Sequence, residues 1–199
     1  MSHYAKLPPP PRERCTYTHV PIQIPIPSTS NQITLAANLY LPTFPNSEKT
    51  SLGTIPLLVP HGRGIEATLS HSTVFAARGY TVLFVSCGGT FGSTGTWDPF
   101  RTESSDGKAI VEWMREQEWC IGSFAMHGMR CLAYSAFAMM GSDGMEDIEA
   151  AVLSVPLFDV GEFVWGTGAM NMGFLVWAEM ARGMEGRWGG VMGRGDGEG

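Results

Sequence analysis

Two short runs of continuous apolar residues constrain the fold of this chain more than any other feature. Residues 54–59 read TIPLLV and residues 80–85 read YTVLFV. Such runs are typical of strands that are covered on both faces, as in a parallel sheet. The segment between them, Ala67–Arg78, carries apolar residues at helical spacing and stops at Gly79. The sequence therefore predicts a strand–helix–strand unit.

Two segments with alternating apolar residues precede this unit. In the first, residues 17–27, prolines stand between the isoleucines, and because proline donates no ladder hydrogen bond this strand is predicted at a sheet edge. The second, Ile33–Leu41, stops at Pro42. Further strands are predicted at residues 123–127 and 150–155, with helices at 105–119 and 131–140. We expect a three-layer α/β core with a mostly parallel sheet, incomplete at the C-terminus, whose open edge lies near Ala150–Val155.

Composition excludes several kinds of partner. The net charge is -6 and no cluster of Lys and Arg occurs, which argues against nucleic acid. No apolar stretch is long enough to span a membrane, and prolines replace the apolar run of a signal peptide, so a cytoplasmic protein is expected. The four cysteines lack C-x-x-C spacing, which argues against a disulfide framework or a zinc site. No cofactor or metal is implied.

The turn after the first apolar strand is a candidate site, because function in such folds collects at the carboxyl ends of parallel strands. Residues 61–64 read HGRG: His61, Gly62, Arg63 and Gly64. The glycines allow a sharp turn that presents N–H groups, as an oxyanion hole requires. The alternative is an ordinary glycine turn whose His61 and Arg63 side chains are solvated.

The glycine-rich loop Cys87–Phe100 follows the second apolar strand. Neither G-x-G-x-x-G nor G-K-[ST] leads from it into a helix, so the pattern gives weak support to phosphate binding. We expect a mobile surface loop that Trp97 and Phe100 pack onto the core.

Residues 124–133, FAMHGMRCLA, have the form of a nucleophile elbow, in which a strained turn joins a strand to a helix. The nucleophile's position, two residues after Gly128, holds Arg130, and a guanidinium cannot attack a carbonyl. Cys131 is the nearest competent nucleophile, and the alternative is a buried helix thiol. Arg130 is predicted to have unusual backbone dihedrals and to point towards the HGRG turn. There it would fill the oxyanion region, pair with Asp98, Asp106 or Asp159, or bind a carboxylate ligand.

The order of these pieces resembles the cocaine-esterase-like (CocE/NonD) branch of the α/β-hydrolases, which X-Pro dipeptidyl-peptidases share. That branch carries a loop D-x-R-G-x-x-x-S-x-G, an acidic-D-G helix start, W-x-x-x-Q-x-W-C-x-G and then G-x-S-Y-x-G. Here Gly89–Gly95 matches the loop, Asp106–Gly107 the helix start and residues 113–122 the next run. The resemblance, over residues 17–180, implies an α/β-hydrolase core in which a serine, with Asp and His, acts on acyl esters or amides.

The departures from the family pattern concern its catalytic residues. The family's nucleophilic serine, following tyrosine and closing glycine fall on Arg130, Cys131 and Ala133. The acid and arginine of the loop are missing from Ser86–Gly89, and the oxyanion tyrosine is missing from Pro60–Gly64. The triad of this fold runs nucleophile, acid, histidine along the chain, and no histidine follows His127. This chain alone is therefore expected not to assemble the family triad.

We expect a Pro-rich disordered arm (1–16), a partial hydrolase core (17–157), the start of a cap (158–182) and a Gly-rich disordered tail (183–199). By resemblance, the cap lies over the substrate site, and its apolar residues either line an acyl pocket or mediate oligomerisation. Three hypotheses stay open: a hydrolase that uses Cys131 or parts from another chain, a non-catalytic binding or interaction protein, and an inactive truncated product. Relatives by fold suggest an accessory hydrolase or acyl transferase of a fungal secondary-metabolite pathway, acting on an acyl or polyketide-type small molecule.

Overall fold

The structure, a computed structural model, describes residues 15–27, 32–44, 51–64, 66–180 and 183. Six strands and four helices alternate along it, and residues 172–180 form a further helical segment. In chain order the elements are β1 (Thr16–Ile26), β2 (Ile33–Thr43), β3 (Thr54–Val59), α1 (Glu66–Ala76), β4 (Thr81–Ser86), α2 (Glu103–Arg115), β5 (Phe124–Met129), α3 (Cys131–Met140), β6 (Ile148–Ser154) and α4 (Val160–Trp165).

One sheet contains all six of these strands, in the order β1-β2-β4-β3-β5-β6. β1, β2 and β4 pair antiparallel, whereas β4, β3, β5 and β6 run parallel. The predicted α/β fold with a mostly parallel sheet is confirmed. The proline-containing β1 lies at one edge, as its missing hydrogen-bond donors predict.

Apolar clusters cover both faces of the sheet. Every residue of β3 and of β4 is buried, as expected of continuous apolar strands between two helical layers. On one face, Leu58, Leu83 and Val85 pack with Ile110 and Met114 of α2 and with Met139 of α3. On the other face, the cluster of Leu57, Val59, Val82 and Phe84 contacts Ala76 of α1.

The strand order places a crevice between β3 and β5. After β3 the chain crosses through α1 to β4 on one side, whereas after β5 it crosses through α3 to β6 on the other. Adjacent strands whose connections leave in opposite directions form a topological switch point, where α/β proteins bind their ligands. The HGRG turn follows β3 and Arg130 follows β5, so both candidate segments lie at this point.

The opposite edge of the sheet is open within the described residues, because β6 pairs there with β5 alone. The open edge predicted near Ala150–Val155 is therefore confirmed. Val152 is 60% exposed and Val155 is 77% exposed. The predicted Gly-rich tail (183–199) and Pro-rich arm (1–16) lie outside the described residues, except for Gly183, Cys15 and Thr16. Among the described helices, none has the length and apolar character needed to cross a bilayer.

Candidate functional site

The turn between β5 and α3 has the backbone conformation of a nucleophile elbow. Arg130 joins the two elements with φ 57° and ψ -118°, and it directly precedes α3. Such values are sparsely populated by residues other than glycine and cost of order 1–3 kcal/mol. The unusual dihedrals predicted for Arg130 are confirmed.

Gly128 makes this sharp turn sterically allowed. A Cβ atom at that position would lie 2.4 Å from the carbonyl carbon and oxygen of Leu132 and 2.5 Å from the amide nitrogen of Ala133. These are backbone atoms of the first turn of α3, which therefore crosses directly over β5. The glycine two residues before the turn is needed for this close approach, whatever side chain the turn carries.

The side chain of Arg130 projects from the elbow into solvent. The predicted carboxylate partners are engaged elsewhere: Asp98 lies 3.9 Å from Arg101, Asp106 accepts from the amide of Gly88, and Asp159 caps α4. Arg130 forms no ion pair with these aspartates or with any other described residue. It is an exposed cation at the position on which the family's nucleophile falls by resemblance.

Arg63 holds the HGRG turn in place. One guanidinium nitrogen donates to the carbonyl oxygens of Ala36 at 2.9 Å and of Phe91 at 3.1 Å, and to the hydroxyl of Ser86. These acceptors belong to β2, to β4 and to the loop after β4, on the side of β3 away from β5. Burial lowers the pKa of Arg63. Arg63 therefore positions the turn rather than serving the elbow as a charged group.

Gly62 and His61 complete the turn. Gly62 has φ 85°, and a Cβ there would lie 2.7 Å from the ring of Phe91. His61 is half-buried, and its Nε2 accepts a hydrogen bond of 3.0 Å from the indole Nε1–H of Trp177. Burial lowers the pKa of His61, which favours the neutral ring that can accept this bond. The alternative of a turn with solvated His61 and Arg63 side chains is wrong.

Cys131 begins α3 directly after Arg130. Its thiol is partly buried, and burial raises its pKa, while the neighbouring charge of Arg130 and the indole of Trp177 oppose that shift. The first amides of a helix have no acceptor within it, so the N–H of Cys131 is not used by the hydrogen bonds of α3. The thiol is neither a fully buried core group nor an activated thiolate.

An aromatic cluster covers this edge of the sheet. The Trp177 ring lies 5.9 Å from that of His61, 5.9 Å from that of Trp97 and 5.7 Å from that of Phe100, measured between centroids. Phe174, one turn earlier in the same helix, lies 5.9 Å from Phe100. Residues 172–180 therefore lie over the elbow, and the assignment of residues 158–182 as the start of a cap stays a prediction.

Sequence reasoning missed Glu103, the first residue of α2. It is only 5% exposed, one of its oxygens accepts from the amide of Phe100, and the other has no partner among the described residues. Burial raises its pKa. Its carboxyl group helps to raise the pKa of Cys131 and of Tyr134, after the larger effect of burial on each, and no spacing pattern in the sequence signals it.

The loop Cys87–Phe100 is tied to β2 by hydrogen bonds. The amide of Thr94 donates to the carbonyl of Thr34 at 2.8 Å, and the amide of Ala36 donates to the hydroxyl of Ser93 at 2.9 Å. Phe100 packs on Tyr134 and accepts a hydrogen bond from its hydroxyl. Trp97 packs against the core, as predicted, whereas Phe100 packs on Tyr134, Phe174 and Trp177. The predicted mobility of the loop stays a prediction, and the loop forms one wall of the site.

Comparisons with known proteins agree with this architecture. Residues 31–191 match the X-Pro dipeptidyl-peptidase family (S15 family). The cocaine esterase of Rhodococcus sp. (strain MB1 Bresler) is 27% identical over 135 residues, which are 63% of this chain and 22% of that protein. The chain thus spans about a fifth of that relative's length.

Solved structures share the fold. An α-amino acid ester hydrolase superposes with a TM-score of 0.58 at 17% identity, over 79% of this chain and 28% of its own. An aminopeptidase from a marine sediment archaeon, Thaumarchaeota archaeon, superposes with a TM-score of 0.56 at 17% identity, over 80% of this chain and 28% of the aminopeptidase. With esterase and peptidase relatives, this is a hydrolase-like protein. The chain belongs to the X-Pro dipeptidyl-peptidase (S15) family, in the cocaine-esterase-like branch of the α/β-hydrolases.

Proposed function

We propose that the elbow of this chain binds acyl esters or amides, or the carboxylates released from them, without covalent chemistry at position 130. The observation that carries the proposal is the elbow geometry at Arg130, with φ 57° and ψ -118° on a residue that cannot act as a nucleophile. The fold presents this side chain at the switch point, where its relatives by family present a reactive group. Here the group presented is a cation.

The chemistry of arginine supports an acyl carboxylate as the ligand. A guanidinium stays protonated and matches a carboxylate with two parallel hydrogen bonds. Arg130 is exposed and has no carboxylate partner among the described residues, so a ligand meets no competing ion pair there. The aromatic rings of Trp97, Phe100 and Trp177 supply an apolar wall beside it.

Calorimetry with benzoate and butyrate tests this proposal. A charge-assisted hydrogen-bonded pair contributes about 1.5–3 kcal/mol, so Arg130→Met is expected to weaken binding by roughly 10- to 100-fold. Arg78→Met is the matched control, because Arg78 precedes β4 at the opposite end of the strands. Equal affinity of Arg130→Met and the unmodified protein, or no binding of either carboxylate, would contradict the proposal.

A restoring substitution tests the absence of covalent chemistry at this position. Arg130→Ser is expected to hydrolyse a nitrophenyl ester no faster than the unmodified chain, because no histidine follows His127 to accept the serine proton. Turnover above that of the unmodified chain would show that a base exists elsewhere and that the triad is misplaced.

A covalent route through Cys131 is the second candidate function. Burial raises the pKa of its thiol, and the neighbouring charge of Arg130 offsets part of that rise, so the thiol is the nearest nucleophile at the elbow but is not activated at rest. Labelling by an iodoacetamide or fluorophosphonate probe that is confined to Cys131 and lost in Cys131→Ala would favour this route. Labelling spread in proportion to exposure over Cys15, Cys120 and Cys131 would count against it.

Two names among the relatives, cocaine esterase and α-amino acid ester hydrolase, favour esters over amides as the first substrates to test. This chain spans only 22% of the cocaine esterase and 28% of the α-amino acid ester hydrolase. Ester hydrolysis by this chain is therefore a proposal. The role as an accessory hydrolase or acyl transferase in fungal secondary metabolism, on a polyketide-type substrate, stays a prediction from the resemblance.

Self-association through the cap segment is a further part of the proposal. Phe158, Trp165 and Val176 are 67%, 57% and 66% exposed, which is unusual for side chains of this size. Sedimentation at increasing protein concentration is expected to show oligomers that Val176→Asp with Trp165→Asp removes. A monomer at all concentrations would refute this part.

A further inference from the structure

The contact between Trp177 and His61 joins two segments that lie far apart in the chain. Residues 172–180 come after α4, whereas His61 lies in the turn after β3. Their link is a single hydrogen bond, in which the indole Nε1–H donates to the imidazole Nε2 over 3.0 Å. The indole has a single N–H, which donates to His61 and also lies close enough to the Cys131 thiol to lower the pKa of that thiol.

Trp177 lies over the elbow. Its indole meets the rings of Trp97, Phe100 and Phe174, which line the edge of the sheet beside Arg130 and Cys131. The same indole lies against the Cys131 thiol. The rest of its helix is held loosely, because Met172, Val176 and Met180 are 65%, 66% and 49% exposed. A helix that contacts the core through so few side chains opens at low cost.

We infer that Trp177 is a gate over the elbow and that its hydrogen bond to His61 is the latch, which opens when His61 takes up a proton. The closed gate covers the Cys131 thiol and the apolar wall of the site. That the gate controls acyl binding rests on the function proposed above, whereas the latch itself is defined by the two side chains and can be tested without any ligand.

Protonation reverses the role of the imidazole nitrogen. Neutral His61 offers Nε2 as an acceptor, but the protonated ring has an N–H there, so two donors face each other and the bond is lost. Burial lowers the pKa of His61 below its usual 6.5. The closed gate is therefore fully stable above pH 6.5 and is lost as the pH falls below that value.

Charged groups on the elements that meet at the site do not reverse the direction of the His61 pKa shift. Burial alone is the cause of the His61 shift, and no neighbouring charge contributes to it. The charged and titratable groups on these elements include Arg63 in the same turn, Asp98, Arg101, Glu103 and Asp106 beyond β4, Arg130, Cys131 and Tyr134 at α3, and Glu179 in the gate helix. Burial therefore sets the direction in which the hydrogen bond between Trp177 and His61 depends on pH.

The rate at which Cys131 reacts with 2,2′-dithiodipyridine measures the gate, since this reagent modifies thiols in mild acid as well as at neutral pH. Mass spectrometry of peptides separates Cys131 from the other cysteines. Trp177→Phe keeps a ring but removes the donor, and one hydrogen bond shifts an equilibrium by roughly two- to tenfold. Because the same N–H lowers the pKa of the Cys131 thiol, the rates are compared at equal thiolate content, and on that basis we expect this variant to react that much faster than the unmodified protein at pH 7.5. Trp119→Phe is the control and is expected to leave the rate unchanged.

His61→Gln keeps an acceptor that does not titrate. Its rate at Cys131 is expected to equal that of the unmodified protein at pH 7.5 and to fall roughly two- to tenfold below it at pH 5. The ratio of the two rates, variant to unmodified protein at the same pH, cancels the change in thiolate content with pH. A ratio that stays constant with pH, or a folded Trp177→Phe that reacts no faster than the unmodified protein, would overturn the latch. Failure of benzoate to bind at Arg130 would instead overturn the proposed function and leave these rates unaffected.

Discussion

Replacing Gly128 with alanine tests whether the crossing of α3 over β5 fixes the elbow. The added Cβ would lie 2.4 Å from the Leu132 carbonyl and 2.5 Å from the Ala133 amide, far inside ordinary contact. Backbone atoms cannot rotate aside, so α3 must shift. Overpacking of this kind costs about 1–3 kcal/mol, and the upper end applies to a backbone clash. The lower entropy of the unfolded alanine chain offsets about 0.4–1 kcal/mol. We expect a loss of about 2 kcal/mol in the free energy of unfolding.

Urea denaturation followed by circular dichroism measures this loss, and thermal melting is expected to shift by about 4–8 °C for a chain of this size. Gly141→Ala is the matched control at the other end of α3. Gly141 has φ -77°, and a Cβ there would meet its nearest atom at 3.6 Å, so the control is expected to be neutral or slightly stabilising. If Gly128→Ala unfolds at the same urea concentration as Gly141→Ala, the close crossing of β5 and α3 is wrong.

Three further predictions concern stability. Arg63→Met leaves the carbonyls of Ala36 and Phe91 without their donor and is expected to lower the free energy of unfolding by about 1–3 kcal/mol, whereas Arg78→Met changes the urea midpoint little. Arg130→Gly relieves the positive φ and is expected to raise the free energy of unfolding by about 1 kcal/mol, and with it the urea midpoint. An unchanged or lower midpoint would show that the turn is unstrained. His127 forms a hydrogen bond of 3.3 Å with His71, and burial and the neighbouring His71 lower the pKa of His127. The free energy of unfolding is therefore expected to fall as the pH drops below 6.5, and to fall less steeply in His71→Gln. Equal slopes in the two proteins would refute the last of these.

Much of the fold follows from the sequence because its signals are local. The continuous apolar runs of β3 and β4 indicate strands that are covered on both faces. The prolines of β1 remove hydrogen-bond donors and so indicate an edge strand. Apolar spacing does not determine where a helix ends, because capping depends on other contacts. The helix predicted to reach Trp119 ends at Arg115, where α2 closes and the chain turns towards β5.

The site could be predicted only where backbone geometry decides it. The strain at Arg130 follows from the order strand, Gly-x-Arg, helix, which is visible in the sequence. The Trp177–His61 bond and the buried carboxyl of Glu103 depend on packing between segments distant in the chain, and no periodicity encodes such contacts. The solvated alternative for Arg63 was wrong for the same reason, since its acceptors lie on β2 and β4.

The elbow shows that architecture and chemistry are separable in this chain. Gly128 and Gly62 cannot accept a side chain, because a Cβ at either position would meet atoms closer than 3.0 Å. Arg130, by contrast, points into solvent and forms no ion pair with the described residues, so the turn does not depend on any contact of this side chain. A cation can therefore replace a nucleophile there while the turn persists. It follows that glycine positions are the reliable sequence evidence for the elbow, whereas the residue at its tip determines which chemistry the elbow can support.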